Sequence, residues 1–191
     1  MNLIRSLHQF VYNRYVRVDH AQEMQERIDA LKARGLIVGR NFNLQNGVEI
    51  DWSHTWHIII GDDVTIAPRV IILAHDTSTN QALGYTRIGK VNIGDRVFIG
   101  ASSIILPGVV IGNDVIIGAG SVVSRDVPDG VVAAGNPAKV ICSMSDWLTR
   151  KRHEMEQSPS FGEEYTTRGN ISDTMKAEMN ERMAARIGYI I

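Results

Sequence analysis

The sequence has a single cysteine, few aromatic residues and almost no net charge. Cys142 has no second cysteine to bond with, so an internal disulfide is excluded and a reducing compartment, the cytoplasm, is expected. The formal net charge of −1 argues against nucleic acid or an anionic membrane surface as the main partner. No apolar run is long enough to cross a bilayer, so no integral membrane segment is expected.

The middle of the chain instead repeats an apolar residue at every sixth position. Between residues 93 and 128 these positions are Ile93, Ile99, Ile105, Ile111, Ile117 and Val123. Glycine directly follows four of them, and a small or β-branched residue comes four places after each. Neither a helical period of 3.6 residues nor a two-residue strand alternation explains this spacing. It predicts an all-β solenoid, in which each six-residue unit forms one side of a coil.

Three such units close one coil, so residues 18 apart are expected to stack on neighbouring coils. The first and fifth residues of each unit then point inward, and the glycine after the first suits a turn with unusual backbone angles. An earlier run with the same period starts at Val38 and resumes in a shifted phase at Ile60. It is blurred at residues 51–57 and interrupted at about residues 73–92, whose polar composition predicts a loop projecting from the coils.

Helical patterns flank the repeats on both sides. Residues 1–35 are predicted to form an N-terminal helical cap, residues 36–142 the repeat domain and residues 143–191 a C-terminal helical tail. Ser145 and Ser172 are the predicted N-caps of two helices in that tail. Because the end coils of a solenoid leave bare strand edges, the flanking segments are expected to cover them.

The glycine-rich repeat, a histidine at the interruption and residues 135–141 (GNPAKVI) together resemble the hexapeptide-repeat acyltransferases. The resemblance spans about residues 38–142 and is closest to sugar O-acetyltransferases of the maltose, galactoside and nodulation type and to acetyltransferases of polysaccharide gene clusters. It implies a left-handed parallel β-helix and acetyl-CoA as acyl donor, with no required metal. It also implies a sugar-like acceptor and a homotrimer with active sites between subunits.

Acetyl transfer to a hydroxyl needs a base, because a hydroxyl is a poor nucleophile until its proton is removed. Histidine suits this task because its side chain titrates near neutral pH. His75 stands where the repeat fails, at the position that matches the family's catalytic histidine, and is the predicted general base. Its second ring nitrogen needs an acceptor, for which Asp51, Glu49, Asp76 and a backbone carbonyl all remain open.

Contacts to the acceptor are implied by a second local resemblance. Residues 41–44 resemble a segment of galactoside acetyltransferases whose first asparagine contacts the sugar, which makes Asn41 a candidate. A substrate aspartate follows in that family at a shorter spacing, and Asp51 is its best counterpart here.

Two further polar residues near His75 are candidates for binding the acceptor. Asp76 occupies the place of a proline that usually follows the family's catalytic histidine, and His54 lies near the blurred part of the repeat. His54 and His57 can instead tune His75, which a stacking position for His57 one coil below would allow, or simply face solvent.

Coenzyme A requires an extended groove, backbone partners for its pantetheine arm and positive charge for its phosphates. The resemblance places Ala101 and Ala119 at the pantetheine contacts of the family. Ser124, Arg125 and Lys139 match its later contacts, with the two basic side chains as phosphate partners.

Other functions remain as alternatives. An N-acyltransferase acting on an amino sugar, or an antibiotic O-acetyltransferase of the same fold, would have the same cofactor site. A non-catalytic scaffold is a more distant alternative, since it would need no base at the interruption. A γ-type carbonic anhydrase needs two zinc-binding histidines five residues apart, a pair that His54, His57 and His75 do not provide.

Overall fold

The structure is a computed structural model that describes residues 17–184 and 187–191. The part of the predicted N-terminal cap before residue 17 lies outside the described residues. The chain divides into two compact units, Met1–Met144 and Ser145–Ile191. Within the described ranges, no helix is both long enough and apolar enough to span a membrane.

The first unit consists of one helix followed by short strands. Helix α1 spans Arg17–Ala33. The strands are β1 (Ile37–Val38), β2 (Asn43–Leu44), β3 (Glu49–Ile50), β4 (Ile58–Ile60), β5 (Thr65–Ile66), β6 (Ile71–Ile72), β7 (His75–Asp76), β8 (Arg87–Ile88), β9 (Val91–Ile93), β10 (Phe98–Ile99), β11 (Ile104–Ile105), β12 (Val110–Ile111), β13 (Ile116–Ile117), β14 (Val122–Val123), β15 (Val131–Gly135) and β16 (Ala138–Ser143). A short helix α2 (Asn80–Leu83) lies between β7 and β8, and a 3₁₀ turn (Thr55–His57) precedes β4.

The repeat strands form three sheets that the chain visits in fixed rotation, and one passage through all three is here called a coil. Sheet 1 has the order β1-β4-β9-β12, sheet 2 the order β2-β5-β10-β13-β15-β16, and sheet 3 the order β3-β6-β11-β14. In the last coils the parallel register joins Ile99 with Ile117 and Ile105 with Val123. The predicted stacking of residues 18 apart is therefore confirmed there.

Two insertions lengthen individual coils between sheet 3 and sheet 1. Ile50 pairs with Ile72, 22 residues later, because residues 51–57 are inserted after β3. Ile72 pairs with Ile105, 33 residues later, because residues 73–90 leave the coil after β6. The second insertion, here called the arm, is more ordered than the predicted loop, since β7 and β8 pair in antiparallel fashion and enclose α2. Since β3 and β6 are neighbours, both insertions begin at the same edge.

The core is a column of stacked aliphatic side chains inside the coils. First-position residues from Leu44 to Val123 are 0–6% exposed, and fifth-position residues from Val48 to Val127 are equally buried. Both positions point inward, as the repeat predicts. Since burying one branched aliphatic side chain contributes roughly 1.5–3 kcal/mol, the column is the main source of stability in this unit.

The repeat glycines allow close approach between coils, and the predicted role in unusual backbone angles is wrong. The left-handed conformation occurs two residues later, at Arg96 (φ 55°) after Gly94 and at Asp114 (φ 55°) after Gly112. A Cβ on Gly94 would lie 2.7 Å from the side-chain oxygen of Asn113 and 2.8 Å from the backbone oxygen of Gly112. The neighbouring coil leaves no room for a side chain.

Acidic or amide side chains at this corner connect successive coils. The side-chain oxygen of Asp62 accepts a hydrogen bond from the backbone N–H of Arg40 at 2.7 Å, and that of Asp95 accepts from Asp62 at 2.8 Å. Asn113 accepts in the same way from Asp95 at 2.8 Å, and Asp129 from Asn113 at 2.7 Å. This Asx ladder, formed by Asp62, Asp95, Asn113 and Asp129, satisfies corner N–H groups that would otherwise lack a partner.

The two ends of the repeat are covered differently. Ile28 and Leu31 of α1 are buried in the same core cluster as Val48, and the guanidinium of Arg27 donates to the backbone oxygen of Val48. At the other end β16 folds back in antiparallel fashion on β15. Helix α1 therefore supplies the expected cover for the first coil.

The second unit contains two helices and a pair of strands. Its elements are α3 (Met144–Glu156), β17 (Ser160–Phe161), a 3₁₀ turn (Glu163–Tyr165), α4 (Asp173–Arg182) and β18 (Tyr189–Ile190). Ser172 caps α4 as predicted, since its side chain accepts from the Met175 N–H at 3.2 Å. The predicted cap at Ser145 is wrong: α3 begins at Met144, whose N–H is already satisfied by the Gly130 carbonyl at 2.7 Å, so the strand runs directly into the helix.

Candidate active site

The two insertions bring one aspartate and one histidine together. Asp51 directly follows β3, and its side chain is 1% exposed. His75 opens the arm and is 30% exposed at its side chain, so it reaches solvent. Its Nδ1 lies 2.5 Å from Oδ2 of Asp51. Because a carboxylate can only accept, Nδ1 carries the hydrogen and Nε2 is left to exchange a proton.

Further donors fix the Asp51 carboxylate. Oδ2 also accepts from the Ala74 N–H at 2.9 Å, and Oδ1 accepts from the Ser53 N–H at 3.1 Å and hydroxyl at 2.9 Å. The His54 N–H adds a contact of 3.2 Å to Oδ1. Burial by itself raises the pKa of Asp51, but the hydrogen bonds from His75, Ala74 and Ser53 outweigh it and hold the pKa below its usual value. Asp51 is thus an ionised acceptor near neutral pH.

The aromatic neighbour of His75 is His54. Their ring centroids are 4.9 Å apart, and His57 stacks on the other ring of this pair, His54, at 6.0 Å. A position for His57 one coil below His75 assumed the 18-residue offset. The offset of this coil is 22 residues, so His57 is displaced from that position.

Asp51, His54 and His75 also have the donor set of a transition-metal site. In the described part of the chain they form the group whose ligand atoms all lie within 4.8 Å of one another. Imidazole and carboxylate ligands suit zinc. A metal ion here would compete with the proton that joins His75 to Asp51.

Two cavities open beside His75. The Glu49 cavity, of about 520 Å³, is lined by Arg27, Glu49, Ile50, Asp51, Trp52, Ser53, Ile71, Ile72, Leu73 and His75. The Ser124 cavity, of about 660 Å³, is lined by Leu73, His75, Asp76, Thr77, Ser78, Arg87, Leu106, Pro107 and Ser124. Leu73 and His75 line both, and His75 is the residue of the two that can exchange a proton.

Asp76 faces away from the catalytic pair and stabilises the arm. Its carboxylate accepts from the Ser78 N–H at 2.9 Å and from the Arg87 guanidinium at 3.1 Å. The hydrogen bonds with Ser78 and the pairing with Arg87 lower the pKa of Asp76. The acceptor that the sequence left open for His75 is therefore Asp51.

Several predicted site residues line neither cavity within one chain. Asn41 lies at a corner of the first coil and donates from its amide to Asp63 at 2.7 Å. Ala101 and Ala119 occupy the same corner of successive coils, where the Gly120 N–H donates to the Ala101 carbonyl at 2.8 Å. Their assigned contacts stay predictions.

The two basic residues assigned to the cofactor are exposed. Arg125 follows β14 by two residues, and Lys139 lies on β16 opposite Ala134. Neither forms an ion pair or side-chain hydrogen bond with any residue that the structure describes. Both charges therefore remain available to an anionic ligand.

Sequence reasoning missed Arg27 and Trp52, which line the Glu49 cavity. The indole of Trp52 is held from one side by Arg34, whose guanidinium carbon lies 4.2 Å from the ring centroid. Arg34 also donates to the Trp52 carbonyl at 3.1 Å and accepts from the Thr55 hydroxyl at 2.6 Å. A tryptophan within the blurred part of the repeat was the available signal.

Comparisons with known proteins agree on one family. Residues 90–125 match the family described as bacterial transferase hexapeptide (six repeats). The galactoside O-acetyltransferase of Escherichia coli (strain K12) is 39% identical over 112 residues, which are 57% of this chain and 54% of the relative. The chain spans about half the length of the curated relatives it matches.

Two solved structures share both fold and sequence with this chain. A maltose O-acetyltransferase from Clostridium difficile 630 is 33% identical, with a TM-score of 0.51 over 62% of this chain and 75% of its own. A galactoside acetyltransferase in complex with coenzyme A is 30% identical, with a TM-score of 0.53 over 74% of this chain and 79% of its own.

Proposed function

This chain belongs to the hexapeptide-repeat acyltransferases, and on that premise we propose that it transfers an acetyl group from acetyl-CoA to a hydroxyl of a sugar or polysaccharide precursor. One observation carries the proposal: a buried, ionised Asp51 lies 2.5 Å from Nδ1 of a histidine that lines two cavities. Family membership also supports a left-handed winding of the coils and a homotrimer.

The proposed reaction uses His75 as general base. Its Nε2 removes the proton of the acceptor hydroxyl while that oxygen attacks the thioester carbonyl carbon. Asp51 holds the ring and stabilises the imidazolium that forms. The tetrahedral intermediate then collapses, the carbon–sulfur bond breaks, and the leaving thiolate takes the proton from His75. The sequence of steps needs no metal ion.

The arrangement of the cavities supports binding of both substrates at once. We assign the acyl donor to the Ser124 cavity, because Ser124 matches a family contact to coenzyme A. The acceptor then occupies the Glu49 cavity on the other side of the base. The free charges of Arg125 and Lys139 suit the phosphates of the donor.

The first test is His75→Ala. We expect acetyl transfer to fall by roughly two to four orders of magnitude, the range for loss of a general base. Calorimetric affinity for coenzyme A should survive. His153→Ala, on the exposed surface of α3, is the matched control. Unchanged turnover in His75→Ala would remove His75 from the mechanism.

The second test separates O-acetylation from N-acylation. A panel of sugars, amino sugars and hydroxylated antibiotics is incubated with acetyl-CoA, and thiol release is followed. Release with sugars that carry only hydroxyls supports the proposal, and release restricted to amino sugars or antibiotics favours the alternatives. Lys139→Ala should weaken binding of coenzyme A in a salt-dependent way, because its contribution is electrostatic.

A further inference from the structure

The Glu49 cavity contains charged groups that the proposed reaction does not use. Arg27 reaches it from α1, and one of its guanidinium donors is engaged by the Val48 carbonyl. A guanidinium has five N–H donors, so others remain for a ligand. In the part of the chain that the structure describes, Arg27 makes no ion pair. The cavity therefore offers an unneutralised cationic donor.

Glu49 is the complementary group. Its side chain is exposed and forms neither an ion pair nor a side-chain hydrogen bond with any described residue. The other carboxylate of the cavity, Asp51, is already engaged by His75 and by the donors of the insertion. Glu49 is thus the carboxylate in this cavity that is available to a ligand.

These two charges favour a ligand that both donates and accepts hydrogen bonds. Glu49 can only accept and Arg27 can only donate, whereas a hydroxyl does both. An anionic ligand would face the charge of Glu49, and an ammonium ligand that of Arg27. Neighbouring hydroxyls of an uncharged molecule match both groups without such a cost.

The rest of the lining suits the apolar face of a sugar ring. Trp52 is 52% exposed, and Arg34 holds its indole in place. Ile71 and Leu73 add apolar surface between Trp52 and the base. A volume of about 520 Å³ lies within the range of small-molecule sites.

We infer that Arg27, Glu49 and Trp52 determine acceptor specificity, and that they select an uncharged pyranoside with neighbouring hydroxyls. The inference rests on the proposed acetyl transfer and adds the charge class of the acceptor. It also makes α1, which covers the first coil, a part of the acceptor site.

The experiment compares three acceptors of one configuration: a methyl pyranoside, the corresponding methyl uronoside and the corresponding 2-amino pyranoside. The wild-type protein should use the neutral glycoside with a kcat/KM at least about tenfold above that for the other two, the size of one lost charged hydrogen bond. Equal use of the three, or preference for a charged one, overturns the inference while leaving acetyl transfer intact. Thiol release with no acceptor at all instead contradicts the proposed function.

Variants then assign the residues. Glu49→Gln, Arg27→Gln and Trp52→Ala should each raise KM for the neutral glycoside by about tenfold or more and leave KM for acetyl-CoA unchanged. Arg27→Lys should restore part of the loss, because it keeps a cationic donor. Effects on KM for acetyl-CoA alone, or none on either KM, would refute the assignment.

Matched controls separate these effects from folding. Glu26→Gln and Lys32→Gln change exposed charges on α1, and Trp56→Phe changes an exposed indole outside both cavities. All variants are compared by thermal unfolding. Binding of the methyl pyranoside is also measured by saturation-transfer NMR in wild type and Glu49→Gln, so the inference is tested even without turnover.

Discussion

At the scale of single residues, the site depends on one buried carboxylate that fixes one imidazole. Asp51 has no freedom to rotate, because both of its oxygens accept hydrogen bonds from the backbone or from Ser53. His75 therefore presents the same nitrogen to both cavities. The chemistry follows from this tautomer more than from the histidine alone.

The first prediction concerns that tautomer. In Asp51→Asn the side-chain amide can donate to Nδ1, so the hydrogen moves to Nε2 and the ring can no longer act as a base there. We expect kcat to fall by roughly two to four orders of magnitude with KM for acetyl-CoA unchanged. Ser53→Ala removes a single donor to Asp51 and should cost much less. Equal rates for Asp51→Asn and wild type would contradict the orienting role.

The second prediction concerns metal ions. A chelator such as EDTA should leave the rate unchanged, because the proposed steps use no metal. Added Zn²⁺ should inhibit, since Asp51, His54 and His75 can bind it together and thereby occupy the base. His54→Gln removes one ligand and should weaken the inhibition, measured as a higher inhibitory concentration. Equal inhibition of both proteins would exclude this cluster as the zinc site.

At the scale of elements, stability depends on close stacking at the corners. Each glycine of the repeat lies directly against the backbone of the next coil, and the Asx ladder closes the remaining hydrogen bonds. The strands have only two or three residues each in most coils, so the corners contribute a large share of the contacts.

The third prediction tests this stacking with Gly94→Ala. The added methyl group would meet backbone atoms of Gly112 at 2.8 Å, and backbone cannot rotate away. We expect a loss of roughly 3 kcal/mol in the free energy of unfolding, the upper part of the range for overpacking. Gly84→Ala on the arm, where nothing lies within 4 Å, should cost about 1 kcal/mol from its φ of +72°. The measurement is chemical denaturation, and equal losses would contradict the steric explanation.

The same contrast explains what the sequence could predict. The six-residue period specifies which side chains point inward, so the column from Leu44 to Val123 was predictable residue by residue. Residues 51–57 and the arm carry no period, and their contacts depend on how far each coil is offset. The partner of His75 was therefore undecided among Asp51, Glu49 and Asp76 until the 22-residue offset was known.

At the scale of the whole molecule, one outer face of the repeat is unusually apolar. Ile37, Ile59 and Val110 lie on sheet 1 with exposed fractions of 57%, 40% and 43%, and Ile37 is directly paired with Ile59. Exposed apolar rows of this kind are typical of subunit interfaces. They support the proposed homotrimer.

The fourth prediction follows from this face. Light scattering of the wild-type protein should give three times the mass of one chain. Ile59→Lys places a charge in the centre of the apolar row and should shift the distribution toward monomer, whereas Thr65→Lys on sheet 2 serves as the control. A wild-type monomer at working concentration would contradict the trimer, and an unaffected Ile59→Lys trimer would place the interface elsewhere.

The arm and residues 51–57 leave the coils and rejoin them between the same two sheets. Amino acids can therefore be added or deleted in either segment without shifting a single rung of the surrounding ladders. Selection can remodel the sugar-facing rim while the load-carrying prism stays constant. Grafting these two segments onto a related scaffold would carry acceptor preference with them.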